Sequence, residues 1–446
     1  MTLRREILSI ALPAIVATIT TPLLGLVDVA ITGHIGEARY LAAIAVGGAM
    51  FNMLYWLFNF LRMGTTGLTA QAFGAHTDTS IILWRSLAIA FGIGLAMIAL
   101  QDPIAYTVLR FMDADAATAY LAREYFSILI WGAPAVIMTY ALSGWFLGMQ
   151  DSRAQMWTAI ATNVLNIGTS LALVYGLKMK IAGVACGTLV AQWGGLTVAA
   201  VLAWKRYHPH TFSSKGSSDM PVPSRLEAWL RLVFEPRALM RFFRINSDIF
   251  LRTSCLVAVT LWFTHVGASL GTDILAANAI LMQLFMFFSF FMDGFAFAGE
   301  ALAGKHSGSG RHDMVGRLVK ALMRIGGCGA LVFSVCYYLG GEEIIRLLTD
   351  EPTVRTVAVR YLPWAGAIPL CGFAAFVWDG IFVGLVDTRS LLLSMATALI
   401  VFAAVKIAAA PMGNDGLWLA FDAYLLTRGI VLSAVFYRKY HSKMTI

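Results

Sequence analysis

ILSIALPAIVATITTPLLGLVDVAI, residues 7–31, holds one ionisable side chain, Asp28, in 25 positions. A bilayer-spanning helix needs roughly 20 predominantly apolar residues, so the stretch is read as a transmembrane helix. Arg4 and Arg5 precede it and no A-x-A-like site follows, the pattern of a signal anchor and not of a cleavable leader. The remainder of the chain has the same character. Of 446 residues, 59% are hydrophobic and 13% are charged, and the mean hydropathy is +0.73. Soluble domains carry roughly 25% charged residues. A soluble fold of this size could not hide so much apolar surface, whereas lipid dissolves it. The formal net charge of +8 is that of cytoplasmic loops facing anionic headgroups, and no nucleic-acid partner is expected.

Runs long enough to span lie near residues 7–32, 41–73, 81–100, 119–149, 154–176 and 181–204. Six more lie near 238–268, 274–304, 314–340, 353–384, 389–410 and 414–437. The expected fold is an all-α membrane protein with twelve transmembrane helices. Its domains are an N-terminal six-helix lobe at 1–204, a cytoplasmic linker at 205–236 and a C-terminal six-helix lobe at 237–446. The RLEAWLRLVF part of the linker (225–234) fits a short interfacial amphipathic helix.

The distribution of Lys and Arg sets the orientation. With a cytoplasmic N-terminus and sides alternating at each span, 21 of the 33 basic residues fall inside, eight outside, and Arg62, Arg252, Lys406 and Arg428 near or within spans. Both termini are then cytoplasmic, and a loop carrying Glu342, Glu343, Asp350 and Glu351 lies outside.

The halves repeat at a separation of about 234 residues. GMQDSR (148–153) matches GLVDTR (384–389), LAAIA (41–45) matches LAANA (275–279), and Gly183-Val184 matches Gly416-Leu417. Six spans per repeat make the copies parallel, with pseudo-twofold symmetry about the membrane normal and a cavity expected between them. That architecture suits alternating access, and transport is the leading functional class.

An ionisable residue in hydrocarbon costs a few kcal/mol or more and needs a partner, a wet cavity or a task. Asp28 is the clearest case: burial favours its protonated form and a nearby cation the ionised one, as a H⁺ or Na⁺ switch requires. A structural acceptor is the alternative. On helix 5, Asn163 and Asn166 are three apart and share a face with Thr169 and Ser170 near. Thr188 and Tyr125 could complete a polar patch around Asp28, although interhelical hydrogen bonding would explain the same residues. In the second half, Asp248 and Arg252 are spaced for an intrahelical pair. Asp293 and Glu300 are seven apart on one helix with Gln283, and Asp379, Lys406, Asp422 and Arg428 follow on later spans. Structural pairing is favoured for most of these. Asp293 and Glu300 are the leading functional pair among them, since neighbouring carboxylates raise one another's pKa.

Several chemistries are disfavoured. GEALAGKH (299–306) approaches a Walker A loop, but His306 stands where Ser or Thr must ligate Mg²⁺, and a helix precedes it where a strand should. No HExxH, GxSxG or zinc-type cluster occurs. The five cysteines are scattered through apolar segments as small packing residues. Neither an enzyme nor a cofactor or metal site is expected.

The segments PLLGLVDVAITGHIG (22–36), FLRMGTTGLTAQAFGA (60–75), DIFLRT (248–253), LAANAILMQ (275–283), DGFAFAGEALAG (293–304) and DGIFVG (379–384) resemble the DinF branch of the multidrug and toxic compound extrusion family, MATE. The resemblance spans essentially the whole chain. It implies two six-helix lobes forming a V, and monomeric export of organic, often cationic, small molecules through the inner membrane in exchange for H⁺ or Na⁺. By position it implies that Asp28 is the essential helix 1 carboxylate and Pro13 the proline at its bend. Tyr125, Asn163, Asn166 and Thr188 correspond to the polar network around that carboxylate. Similar proteins carry a second carboxylate one turn after the helix 5 asparagine, where this chain has Ser170 in NIGTS (166–170). Asp28 thereby lacks an acidic neighbour, and a Na⁺ site loses a hard ligand. The substitution points to H⁺ coupling. A lipid-linked precursor flippase of the same superfamily and a non-transporting membrane scaffold are the competing classes. A flippase would need several basic residues in its cavity.

Overall fold

The computed structural model describes residues 2–33, 38–111, 116–211 and 231–444; the side chains of 21–30, 32–33, 38–41, 111, 116, 208–211 and 441–444 lie outside that description. Every regular element among the described residues is helical. In order they are α1 (Leu3–Gly33), α2 (Ala38–Phe58), α3 (Phe60–Gly74), α4 (Ser80–Ala99), α5 (Gln101–Phe111), α6 (Ala116–Leu129), α7 (Ala133–Gly148), α8 (Ser152–Leu171) and α9 (Lys180–Thr211). Then follow α10 (Pro236–Ser269), α11 (Thr272–Gly308), α12 (His312–Leu348), α13 (Pro352–Gly384), α14 (Thr388–Ala408) and α15 (Asn414–Met444). Eleven spans among the described residues are long and apolar enough to cross a membrane. With the 31-residue α1, they make the twelve expected from the sequence.

Helices prevail because lipid offers the backbone no partner. The interruptions have local causes. The run 41–73 breaks at Asn59 into α2 and α3, and Asn59 accepts from Arg62 Nε at 3.3 Å. A 3-10 turn at Ile130–Gly132 precedes Pro134, which lacks the N–H to continue an α-helix. α13 contains Pro363 and Pro369. Neighbouring hydroxyls serve carbonyls there: Tyr338 donates to Pro363 O at 2.9 Å and Ser334 to Gly366 O at 2.7 Å.

Two expectations on boundaries are corrected. Glu342 and Glu343 are on the last turns of α12 and not in a loop, because Arg346 reaches both at 2.8 Å and holds the helix together. α9 runs on to Thr211, into the expected linker. Most of 225–234 lies outside the described residues. Its tail, 231–233, is helical and is held by Arg85, which donates to Leu232 O (2.7 Å) and Val233 O (2.9 Å).

By contact the chain forms two compact units, one of Val16–Phe243 and one of Met1–Ile15 with Arg244–Ile446. In the first, α7 packs on α3 and α4, and α8 on α9. In the second, α13 packs on α11 and α12, and α14 on α15. The pairing scheme is the same, and so are its closest approaches. A Cβ on Gly144 would meet Arg62 O, and one on Gly148 would meet Thr69 and Ala70 N. In the repeat, Gly380 and Gly384 are pressed on the backbone of Ala296 and on Glu300 O with Gly304 N. Small residues let the backbones approach this closely. Gly299 and Gly304 of the Walker-like string thus belong to a continuous helix that α13 packs against.

Candidate functional site

In the first unit, polar side chains collect where α8 meets α9. Asn166, Ser170 and Thr188 are buried. Asn166 Nδ2 donates to Thr188 Oγ1 at 2.8 Å, and Thr188 donates to Val184 O at 3.0 Å. Thr169 donates across the seam to Gly187 O at 3.0 Å, and Gly187 leaves no room beside the backbone of Ser170. One turn earlier, Asn163 Nδ2 reaches α1 and donates to Thr20 O at 2.9 Å. Asn163, Asn166 and Ser170 therefore make a polar stripe at helical spacing that begins against α1. Two of its atoms, Asn166 Oδ1 and Ser170 Oγ, are buried with no hydrogen-bond partner among the described residues. A buried polar atom left so costs about 1–3 kcal/mol.

Tyr125 is buried under α2, against Gly47 and edge-on to Phe51 with ring centroids 6.5 Å apart. Pro13 lies within α1, two residues before the boundary between the units. The Asp28 side chain lies outside the described residues, although α1 is helical through its position.

In the second unit the expected intrahelical pair is replaced. Arg252 Nη2 donates to Asp379 Oδ2 on α13, and Arg428 Nη2 from α15 donates to the same oxygen. Asp248 instead accepts from Thr388 at 2.7 Å. The buried Asp379 would be a lone charge without them, so it draws Arg252 away from its own helix. Arg428 also lies over the rings of Tyr424 (5.5 Å) and Phe376 (6.0 Å).

α11 carries the remaining second-unit candidates. Glu300 is buried, Asp293 half-buried and Gln283 exposed. The helix is continuous from Thr272 to Gly308, so two turns, about 10 Å, separate Asp293 from Glu300 along it. Gln283 is about 15 Å from Asp293 on the same measure. Asp422 of α15 is different: it is buried, and its Oδ1 has no hydrogen-bond partner among the described residues. Its sequence context, an apolar helix, marks it no more strongly than Asp379. Among the described residues no three His, Cys, Asp or Glu side chains gather as metal ligands, and the five cysteines are free.

Comparison with known proteins gives this architecture a context. The MatE family model matches residues 13–171 and 248–407, one stretch in each repeat. The chain is 36% identical to DNA damage-inducible protein F of Escherichia coli (strain K12) over 435 residues, 97% of this chain and 92% of that one. The fold is that of a crystal structure of MATE in the bent conformation, at a TM-score of 0.86 and 17% identity, covering 100% of this chain and 97% of the other. It is equally that of a multidrug resistance MATE family transporter of the MOP superfamily in an outward-facing conformation, at a TM-score of 0.83 and 16% identity, covering 100% and 97%.

Proposed function

The chain belongs to the MatE family, and we propose that it is a secondary active antiporter that exports organic, cationic or amphiphilic compounds across the inner membrane in exchange for H⁺. It works as a monomer by alternating access between its two six-span halves, with both termini cytoplasmic. Asp28 is the coupling carboxylate, and Pro13 the point at which α1 bends.

One observation carries this: the polar stripe of α8. α1 and α8 contribute the first and fifth spans and so run in the same direction. Asn163 fixes their register at Thr20. Eight residues on from Thr20 is Asp28, and seven on from Asn163 is Ser170, rises of about 12 and 10 Å. On these rises Asp28 comes level with Ser170, about one turn past Asn166, and the buried oxygens of those two side chains have no hydrogen-bond partner among the described residues. A protonated carboxyl supplies the donor that such an acceptor needs. Ser170 adds no charge, so a Na⁺ ion would find one hard ligand fewer.

A flippase reading loses support in the second unit. Of the four basic residues in spans, Arg252 and Arg428 are both engaged by Asp379. The test is substrate efflux from proteoliposomes with ΔpH and ΔNa⁺ imposed independently. Antiport predicts flux driven by ΔpH alone. A scaffold predicts no gradient-driven flux of any compound.

A further inference from the structure

A basic groove lies where α1 enters the second unit. Arg4 and Leu8 of α1 and Arg317, Lys320, Ala321, Arg324, Ile325 and Cys328 of α12 line an open groove of about 570 Å³. All belong to the same compact unit. On α12 the lining positions recur every three or four residues, one stripe of the helix. The lining holds four cations and no acid. Among the described residues Arg4, Lys320 and Arg324 make no ion pair, and Arg317 meets only Asp313, at 3.9 Å and in the open.

The stripe changes character along its length. Its charges stop at Arg324, and residues 325–341 carry none, a run of about 25 Å. α1 does the same: after Arg4, Arg5 and Glu6 no charge follows until Asp28. The four cations thus sit at headgroup depth, and Leu8, Ile325 and the exposed Cys328 lead from them into hydrocarbon. A free phosphate would use only the first half of such a site. A phosphodiester with an acyl chain uses both, since Arg binds phosphate oxygens in a planar, two-pronged fashion and basic pockets between membrane helices hold anionic headgroups.

We propose that this groove binds one anionic phospholipid of the cytoplasmic leaflet, its phosphate on Arg4, Arg317, Lys320 and Arg324 and its acyl chain along Leu8, Ile325 and Cys328. The site is separate from the transport reading and stands on the groove's own chemistry.

The experiment uses the purified full chain with phosphatidylglycerol, phosphatidylcholine and inorganic phosphate, read by native mass spectrometry. Phosphatidylglycerol should be retained over phosphatidylcholine, and inorganic phosphate should not displace it. Each of Arg317→Gln, Lys320→Gln and Arg324→Gln should weaken retention about fivefold, and the triple variant well over tenfold. Neutralising Arg241, Arg244 and Arg438, basic residues outside the groove, should leave retention unchanged. A phosphatidylglycerol with a photoreactive acyl chain should label Leu8, Ile325 and Cys328. Labelling spread evenly over lipid-facing helices, equal loss in the control triple variant, or displacement by inorganic phosphate would each overturn the proposal.

Discussion

Asp151 and Asp387, 236 positions apart, do the same work in two copies of one turn. Each follows a residue in the left-handed region, Gln150 (φ 67°) and Val386 (φ 57°). Each donates its N–H back to the preceding helix, to Phe146 O at 2.8 Å and Phe382 O at 3.0 Å. Each side chain caps the next helix and accepts from a cation and a tyrosine of the last span of its half, Arg206 with Tyr207 and Lys439 with Tyr440. A β-branched residue is costly at positive φ, by about 1–2 kcal/mol. Val386→Gly should therefore raise the unfolding temperature, and Asp387→Ala should lower it through loss of the cap, about 1 kcal/mol. Thermal unfolding of the purified protein, followed by tryptophan fluorescence, reads both signs.

The Asp379 cluster makes a larger stability prediction. Removing one member of a buried ion pair costs about 3–5 kcal/mol. Asp379→Asn strands Arg252 and Arg428 together and should abolish detergent-stable protein or lower its unfolding temperature sharply. Arg252→Met leaves one cation on one anion and should be milder. Replacing all three with apolar side chains should recover much of the loss. A triple variant as unstable as Asp379→Asn would show that charge balance is not what the cluster maintains.

The glycine contacts give predictions of opposite sign. Gly144→Ala and Gly380→Ala press a methyl group on backbone atoms and should destabilise by about 1–3 kcal/mol. Gly48 and Gly340 have open space where a Cβ would lie. Alanine there should stabilise the helix by about 0.5–1 kcal/mol. Thermal unfolding of the four variants distinguishes the two classes.

Orientation is tested with reporter tags. Tags after Lys215 and at the C-terminus should report the cytoplasm, and one after Asp350 should report the outside. A periplasmic signal after Lys215 would contradict the assignment of sides.

The spans were legible in the sequence because lipid imposes length and apolarity on every one of them. The repeat was legible because the same turn needs the same Asp in both halves. Partner choice was not. The i,i+4 spacing of Asp248 and Arg252 suggests a local pair, but a buried anion three spans later decides where Arg252 goes, and no local pattern contains that. The length of α12 was hidden by its charges, which end the apolar run at Gly341 while Arg346 and its two glutamates continue the helix. In the candidate site, composition marked Asn163, Asn166 and Ser170, and folding supplied what it could not: which stripe they form, and that Asn163 grips α1 at Thr20.

In the proposed mechanism Asp28 carries the coupling proton beside a polar stripe, Asn163, Asn166 and Ser170, that holds no carboxylate. The direct measurement is efflux against pH in reconstituted vesicles, with and without Na⁺, for the parent, Asp28→Asn and Ser170→Asp. The parent should run on ΔpH with little stimulation by Na⁺, and Asp28→Asn should fold but lose coupled efflux. Ser170→Asp should move the optimum to higher pH, since two neighbouring carboxylates hold a shared proton more tightly. Gradient-driven efflux retained by Asp28→Asn, strong Na⁺-driven efflux at zero ΔpH, or a Ser170→Asp profile identical to the parent's would contradict the account and move the coupling to the second unit.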